Sequence, residues 1–323
     1  MKRKSFAKLA AVALSAMMVA GAGAAADFPN KPIRIVSPFP PGGTTDIVAR
    51  AMANKLTQSL GVSVIVENRT GAFGMIGTTA VARAEPDGYT LLMAGSPHGI
   101  NNSLRKNVPY DPVSSFAPVA LIGTVPMVLV VPKDLPVDGY ASFVKYGKAN
   151  PEAIKCGVVG GAANHLATQL FQRMSGMPIL QIPYKGDAPM FVDLVGNQIN
   201  CVVGISTQVL GHISEGRLKA LAVTSEQRLE QLPNTPTLRE LGLAGYEAGS
   251  WNGIFAPAGT PPERIKVLAD ALLAASQEPD VKKSLGTLGF QIRAVGPEGL
   301  ARFLSTEIAR WKEVIDDAHI QAE

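Results

Sequence analysis

Two cysteines, four histidines and a 6% share of aromatics in 323 residues leave little room for several kinds of chemistry. His98, His165, His212 and His319 stand far apart, with no i, i+4 pair and no cysteine cluster beside them, so a zinc site has little support. No G-x-S-x-G elbow occurs, Ser96 near His98 lacks a triad pattern, and "GAFGMIG" spaces its glycines wrongly for a dinucleotide fingerprint. No paired nucleophile and base is visible, and the chain is read as a non-enzyme with no cofactor and no metal.

Long apolar runs are scarce as well. The one that stands out, Leu9 to Ala20, is shorter than the ~20 residues a membrane-spanning helix needs. Lys2, Arg3, Lys4 and Lys8 precede it, and Ala24-Ala25-Ala26 follows with the small residues a signal peptidase requires. Residues 1–26 therefore read as a secretory signal, with no membrane insertion after its removal and a periplasmic destination. A surplus of one charge is missing too: 30 Lys+Arg less those four leaves 26, against 26 Asp+Glu. A neutral mature chain argues against a nucleic-acid or anionic-membrane partner, and an anionic ligand would have to be held by local geometry.

What the chain does have is alternation. Residues 33–37 read as a buried strand; Ile47, Val48, Ala51 and Leu56 recur at helical spacing, with Thr44 or Thr45 as cap and Gly61 as stop; "VSVIVEN" is the next strand. The order returns at "AIKCGVVGG", "NHLATQLFQRMSG" and "PILQIPY", then through a helix at 188–195 and strands at 199–205 and 218–224. Such alternation implies parallel sheets in two α/β lobes. "PMVLVVP" and "SWNGIFAP" read as crossover strands, which divides the chain into lobe 1 (27–126), lobe 2 (127–251) and a return to lobe 1 (252–323) that is helical over Pro262 to Ala275 and Pro297 to Ala318.

A loop at the strand-to-helix step of each lobe invites a ligand. "PFPPGGTTD" in the first lobe and Gly160-Gly161-Ala162-Ala163-Asn164-His165 in the second each bring unpaired backbone N–H groups and the positive end of a helix dipole to one point. Strand-glycine-helix turns are also ordinary α/β punctuation, and both readings stand on the pattern alone. Asp46 fits a capping role better than that of a catalytic acid.

The stretches "KPIRIVSPFPPGGTTDIVAR", "VIVENRTGAFGMIGTTAVARAEPDGYTLL", "FAPVALIGTVPMVLVVP", "IPYKGDAPMFVDLVGNQI", "LKALAVTSEQRLEQLPNTPTLRELG" and "WNGIFAPAGTPPERI" follow one another in the order seen in the tripartite tricarboxylate transporter solute receptors, or Bug receptors. From Lys31 to about Trp311 the chain resembles that family. The resemblance implies an α/β, two-lobed type II periplasmic binding protein of the Venus flytrap kind, with a cleft between two parallel-core mixed sheets. It implies a monomer that closes on a small organic carboxylate and hands it to membrane permease subunits. The implied ligand-binding set is Phe39, Pro40, Gly42, Gly43, Thr44 and Asp46 on one pincer, Gly161, Ala162, Asn164 and His165 on the other, with Phe73, Ser96, His98, Tyr184, Lys185, Gly186, Asp187 and Ser206 around them. Three positions depart from the family pattern: Ala162 stands where a Ser is usual, Phe73 where a Gly is common, and Asp187 where a small residue is usual. A carboxylate at Asp187 would disfavour a plain dicarboxylate and favour an amino dicarboxylate or a nitrogen-containing aromatic acid, if it does not simply cap the next helix.

Cys156 and Cys201 both sit in apolar strand patterns, and an oxidising compartment favours a bridge between them over two buried thiols. Two other functional classes remain open: an exported α/β enzyme acting on a small carboxylate, and a ligand sensor for a membrane partner.

Overall fold

Three apolar runs of five residues, β1 (Ile33–Ser37), β2 (Val64–Asn68) and β3 (Thr90–Ala94), pair in parallel with β1 at the centre. Their location comes from a computed structural model, which describes residues 28–320; the signal segment 1–26 lies outside the described residues. β1 (IRIVS) is buried at four of its five positions, with only Arg34 partly exposed, because helices cover both faces of a parallel sheet. Between β1 and β2 runs α1 (Thr44–Leu60), which buries Val48, Ala49, Met52 and Leu56 and stops at Gly61 with φ +70°. The cap at its start is Gly43, without any side-chain hydrogen bond, and not Thr44 or Thr45 as the sequence suggests.

The joint between the two lobes is built from two strands. β4 (Phe116–Pro132) is 17 residues long: Phe116 to Pro126 pairs antiparallel with β9 (Gly249–Pro257), and Met127 to Pro132 pairs with β7 (Val202–Ile205) and β8 (Leu218–Val223). One strand thus belongs to both sheets. It begins ten residues before the crossover segment "PMVLVVP" that the sequence marks. In lobe 1 the order is β10 (Gln291–Val295), β4, β9, β3, β1, β2. In lobe 2, β5 (Lys155–Val159) pairs in parallel with β6 (Leu180–Tyr184), whose Pro183 suits an edge, and Cys156 bridges to Cys201 just before β7.

Register fixes how the lobes face each other. Ala94, the end of β3, lies opposite Gly253, close to where β9 crosses; Ile205, the end of β7, lies opposite Met127, where β4 crosses. The carboxyl ends of both parallel sets therefore look across the same gap, where open α/β sheets place their ligands.

Each lobe has its own core. Ile33, Ile35, Met52, Leu91 and Leu268 pack in lobe 1; Phe143, Cys156, Leu166, Phe171 and Val203 pack in lobe 2. The last helix, α10 (Pro297–Asp317), serves both, since Leu300 and Leu304 join a lobe 1 cluster whereas Trp311, Val314 and Ile315 pack in the lobe 2 core. The return segment is thus not confined to lobe 1, because the apolar stripe of a 21-residue helix is long enough to seal both.

At the crossing point, the buried hydroxyl of Thr224 accepts from the Met127 N–H at 2.7 Å and lies 3.0 Å from the Met127 carbonyl and 2.5 Å from that of Ala248. One side chain ties both interlobe strands. Thr224→Val keeps the shape and removes the hydroxyl, leaving the Met127 N–H without this acceptor. It should cost about 1–3 kcal/mol in chemical unfolding, and a loss below a few tenths would show that the strands do not depend on it.

Candidate functional site

The first pincer is a turn held from behind. Gly42 adopts φ +82°, and its N–H donates to Oδ2 of Asp46 at 3.0 Å; Arg50 Nε donates to the same oxygen at 2.9 Å, and Asn68 Nδ2 donates to Oδ1 at 2.8 Å and to the Phe39 carbonyl at 3.0 Å. Asp46 is buried with both oxygens engaged, so it braces the loop. Burial pushes its carboxyl up, and the hydrogen bonds from Arg50, Gly42 and Asn68 with the Arg50 charge outweigh that and hold it below the usual carboxylate range. The first helical bond of α1 runs from Ile47 N–H to Gly43 O, so the N–H groups of Thr44, Thr45 and Asp46 lack intrahelical acceptors. Gly43 is extended (φ −76°, ψ 163°), and the left-handed residue is its neighbour Gly42.

The second pincer repeats this logic with neutral groups. Asn164, buried, accepts from Val159 N–H at 3.2 Å and points its amide at Met190 Sδ, while Gly161 (φ +69°) donates its N–H to His165 Nδ1 at 3.2 Å. Asn164 is therefore the counterpart of Asp46, a support and not a contact. An accepting Nδ1 leaves the proton of neutral His165 on Nε2, as a donor. Burial lowers its pKa and keeps it neutral. Ala162 caps α5 (Ala163–Ser175) through backbone alone.

Four further helices start in the same way. α2 (Met75–Ala82) follows β2, α3 (Pro97–Leu104) follows β3, α6 (Asp187–Val195) follows β6, and α7 (Ser206–Ser214) follows β7. With α1 and α5, six helices begin directly after a strand or its following turn, at the carboxyl side of the strands.

Several expected ligand contacts have other duties. His98 is 3% exposed, stacked on Tyr110 and edged by Phe116, Phe255 and Trp251, with Nε2 3.0 Å from the Pro112 carbonyl. It is a core residue, and burial drives its pKa down to about 4. Ser206 is buried against Gly289 of lobe 1, 3.4 Å from its carbonyl, and Tyr184 donates its hydroxyl to Asp193 at 2.7 Å. Phe73 is exposed at φ +52° under the Arg105 guanidinium, 3.8 Å from the ring centroid. Asp187 is the first residue of α6, capped by Gly186, and its carboxylate accepts from Gln208 Nε2 at 2.8 Å; it caps nothing. Lys185 is exposed beside it, Ser96 Oγ lies 3.4 Å from the Gly249 carbonyl, and the Phe39 ring packs under Gly74 and Gly95.

Residues missed in the sequence are Thr45 and Asn252, whose Oγ1 and Nδ2 meet at 3.0 Å beneath the first turn of α1, and Gln208. A lone asparagine in the apolar run "SWNGIFAP" was the available signal. A groove of about 620 Å³ lies on the other side of the β4–β9 pair, lined by Arg228, Glu247, Lys282 and Arg293. It is lined in part by Gly289, against which Ser206 at the start of α7 is buried, and Arg228 and Arg293 are paired with Glu240 and Glu247. The loops that open α1 and α5 are the stronger candidate.

Between pH 6.5 and about 4 an unfolded histidine takes up a proton that folded His98 refuses, so the unfolded state gains as pH falls through this window and the loss levels off below it. Melting temperature should drop across the window, and His98→Phe should flatten that slope; an equally steep slope in the variant would assign it elsewhere.

The family model for the tripartite tricarboxylate transporter family receptor matches residues 48–320. Protein BugT of Bordetella pertussis is 38% identical over 94% of this chain and 96% of its own length. Among solved structures, R. palustris Rpa4515 with adipate shares 34% identity at TM-score 0.78 over 91% of this chain and 99% of that one. MatC (Rpa3494) from Rhodopseudomonas palustris with bound malate shares 31% at TM-score 0.72 over 89% and 100%. With fold and sequence similarity in agreement, the chain belongs to the tripartite tricarboxylate transporter family of solute receptors.

Proposed function

We propose that this receptor works in the periplasm as a monomer, captures a small organic carboxylate between its two pincers, and delivers it to permease subunits of a tripartite transporter. The observation that carries this reading is the pair of strand-to-helix loops, one per lobe, at which α1 and α5 begin beyond the carboxyl ends of parallel strands. The start of α1 adds partial positive charge and the N–H groups of Thr44, Thr45 and Asp46, which suits an anion in a neutral protein. That two relatives hold adipate and malate supports the same ligand class. Each lobe supplies one pincer, so binding closes the lobes about the crossings at Pro126–Met127 and Ala248–Gly249. A thermal-shift screen of the mature protein tests it: a carboxylate that binds the folded state raises the melting temperature with concentration. No shift with any mono- or dicarboxylate at millimolar levels would overturn the reading.

The ligand reading includes nitrogen-bearing acids, because half-buried Asp187 puts a negative charge at the lobe 2 edge beside the second pincer. Asp187→Asn should narrow the preference for an amino dicarboxylate over its deaminated analogue by about threefold to tenfold, as expected for a partly screened charge. An unchanged ratio in side-by-side titrations would reduce Asp187 to a tie between α6 and α7.

A further inference from the structure

Asn252 carries an unanswered hydrogen-bonding group beneath the first turn of α1. It is 1% exposed, sits on β9 opposite the Gly95 turn that ends β3, and alternates onto the α1 face of the sheet with Ile254 and Ala256. Its Nδ2 donates to Thr45 Oγ1 at 3.0 Å and lies 3.4 Å from the Ala94 carbonyl, which accepts only, so the amide has one sensible orientation. That leaves Oδ1 buried and accepting from none of the described residues. A buried acceptor without a donor is costly, and this one lies on an amide bonded to Thr45, in the N-terminal turn whose Thr44, Thr45 and Asp46 N–H groups lack intrahelical acceptors.

We propose that Asn252 is a specificity-determining residue that accepts a hydrogen bond from a hydroxyl or ammonium group on the carbon next to the ligand's carboxylate. The inference rests on the carboxylate reading above and narrows it to 2-hydroxy and 2-amino acids. The link to the carboxylate is Thr45, which stands in the first turn of α1 and is bonded to the Asn252 amide at 3.0 Å. A donor on the carbon next to the carboxylate satisfies Oδ1, whereas a bare methylene leaves it unpaired and dry. Thr45 is the positioning partner, since its hydroxyl holds the amide by the other edge.

The test compares L-malate, L-aspartate and succinate, with lactate and alanine as shorter probes, by calorimetry on the wild type and on Asn252→Leu. Malate or aspartate should bind wild type at least about tenfold more tightly than succinate, the size expected for one unmet buried hydrogen bond. In Asn252→Leu that ratio should fall to about one. Malate preferred over aspartate assigns the donor as hydroxyl, and the reverse assigns it as ammonium. Equal wild-type affinities for malate and succinate overturn the inference, and so does a ratio that survives in a folded Asn252→Leu. Should none of the hydroxy and amino acids bind while adipate does, the inference fails and the carboxylate reading stands. The wild-type comparison holds even if the variant does not fold.

Discussion

Gly42→Val should abolish carboxylate binding while leaving a folded protein. At φ +82° a β-branched residue is strained by about 1–3 kcal/mol, and no atom lies within 4 Å of the added Cβ, so the whole penalty falls on the backbone of the loop. Relief of that strain rotates the peptide whose N–H is held by Asp46 and moves the mouth of α1. Losing two charge-assisted contacts there should weaken affinity by roughly 100-fold or more. Gly61→Val is the control. It sits at φ +70° with equally open space at the far end of the same helix. It should lose similar stability in chemical unfolding and keep its affinity. If both variants bind as wild type does, the first loop is only a turn; if both lose binding alike, the effect is global destabilisation.

Breaking the Cys156–Cys201 bond should have the largest effect on stability. The two Cα atoms lie 4.5 Å apart, both residues are fully buried in the lobe 2 core, and their backbones bridge directly. Closing a loop with a sequence separation of 45 stabilises by at most about 4 kcal/mol through the unfolded chain. Cys156→Ala with Cys201→Ala should lower the urea midpoint accordingly, and reduction of the wild type should reproduce the shift. Two titratable thiols in unreduced, denatured protein would contradict the bond.

The strands and helices near the pincers were legible because local rules govern them. β1 spans residues 33–37 as its apolar run indicates, and α1 stops at Gly61 because only a left-handed residue closes its last turn cheaply. What eluded the sequence was set by contacts from far along the chain. His98 reads like any polar residue near a cleft until Tyr110, Phe116, Trp251 and Phe255 close over it. The stripe on α10 has the same period over Leu300 and Leu304 as over Trp311 and Ile315, so periodicity alone does not reveal that its two halves serve different lobes. Asp46 was legible as a loop-shaping residue, whereas Asn164 stands where a loop residue would meet a ligand, and only its bond from Val159 N–H shows that it braces the second loop.

The central claim is that opposed helix N-termini hold the ligand by its negative charge. The most direct measurement is calorimetric titration of the mature protein with a panel of dicarboxylates, adipate among them, each beside its neutral diamide. A saturable one-to-one binding of at least one dicarboxylate, lost in its diamide and in Gly42→Val, is the predicted result. Equal affinity for acid and diamide, or binding untouched by Gly42→Val, would contradict it.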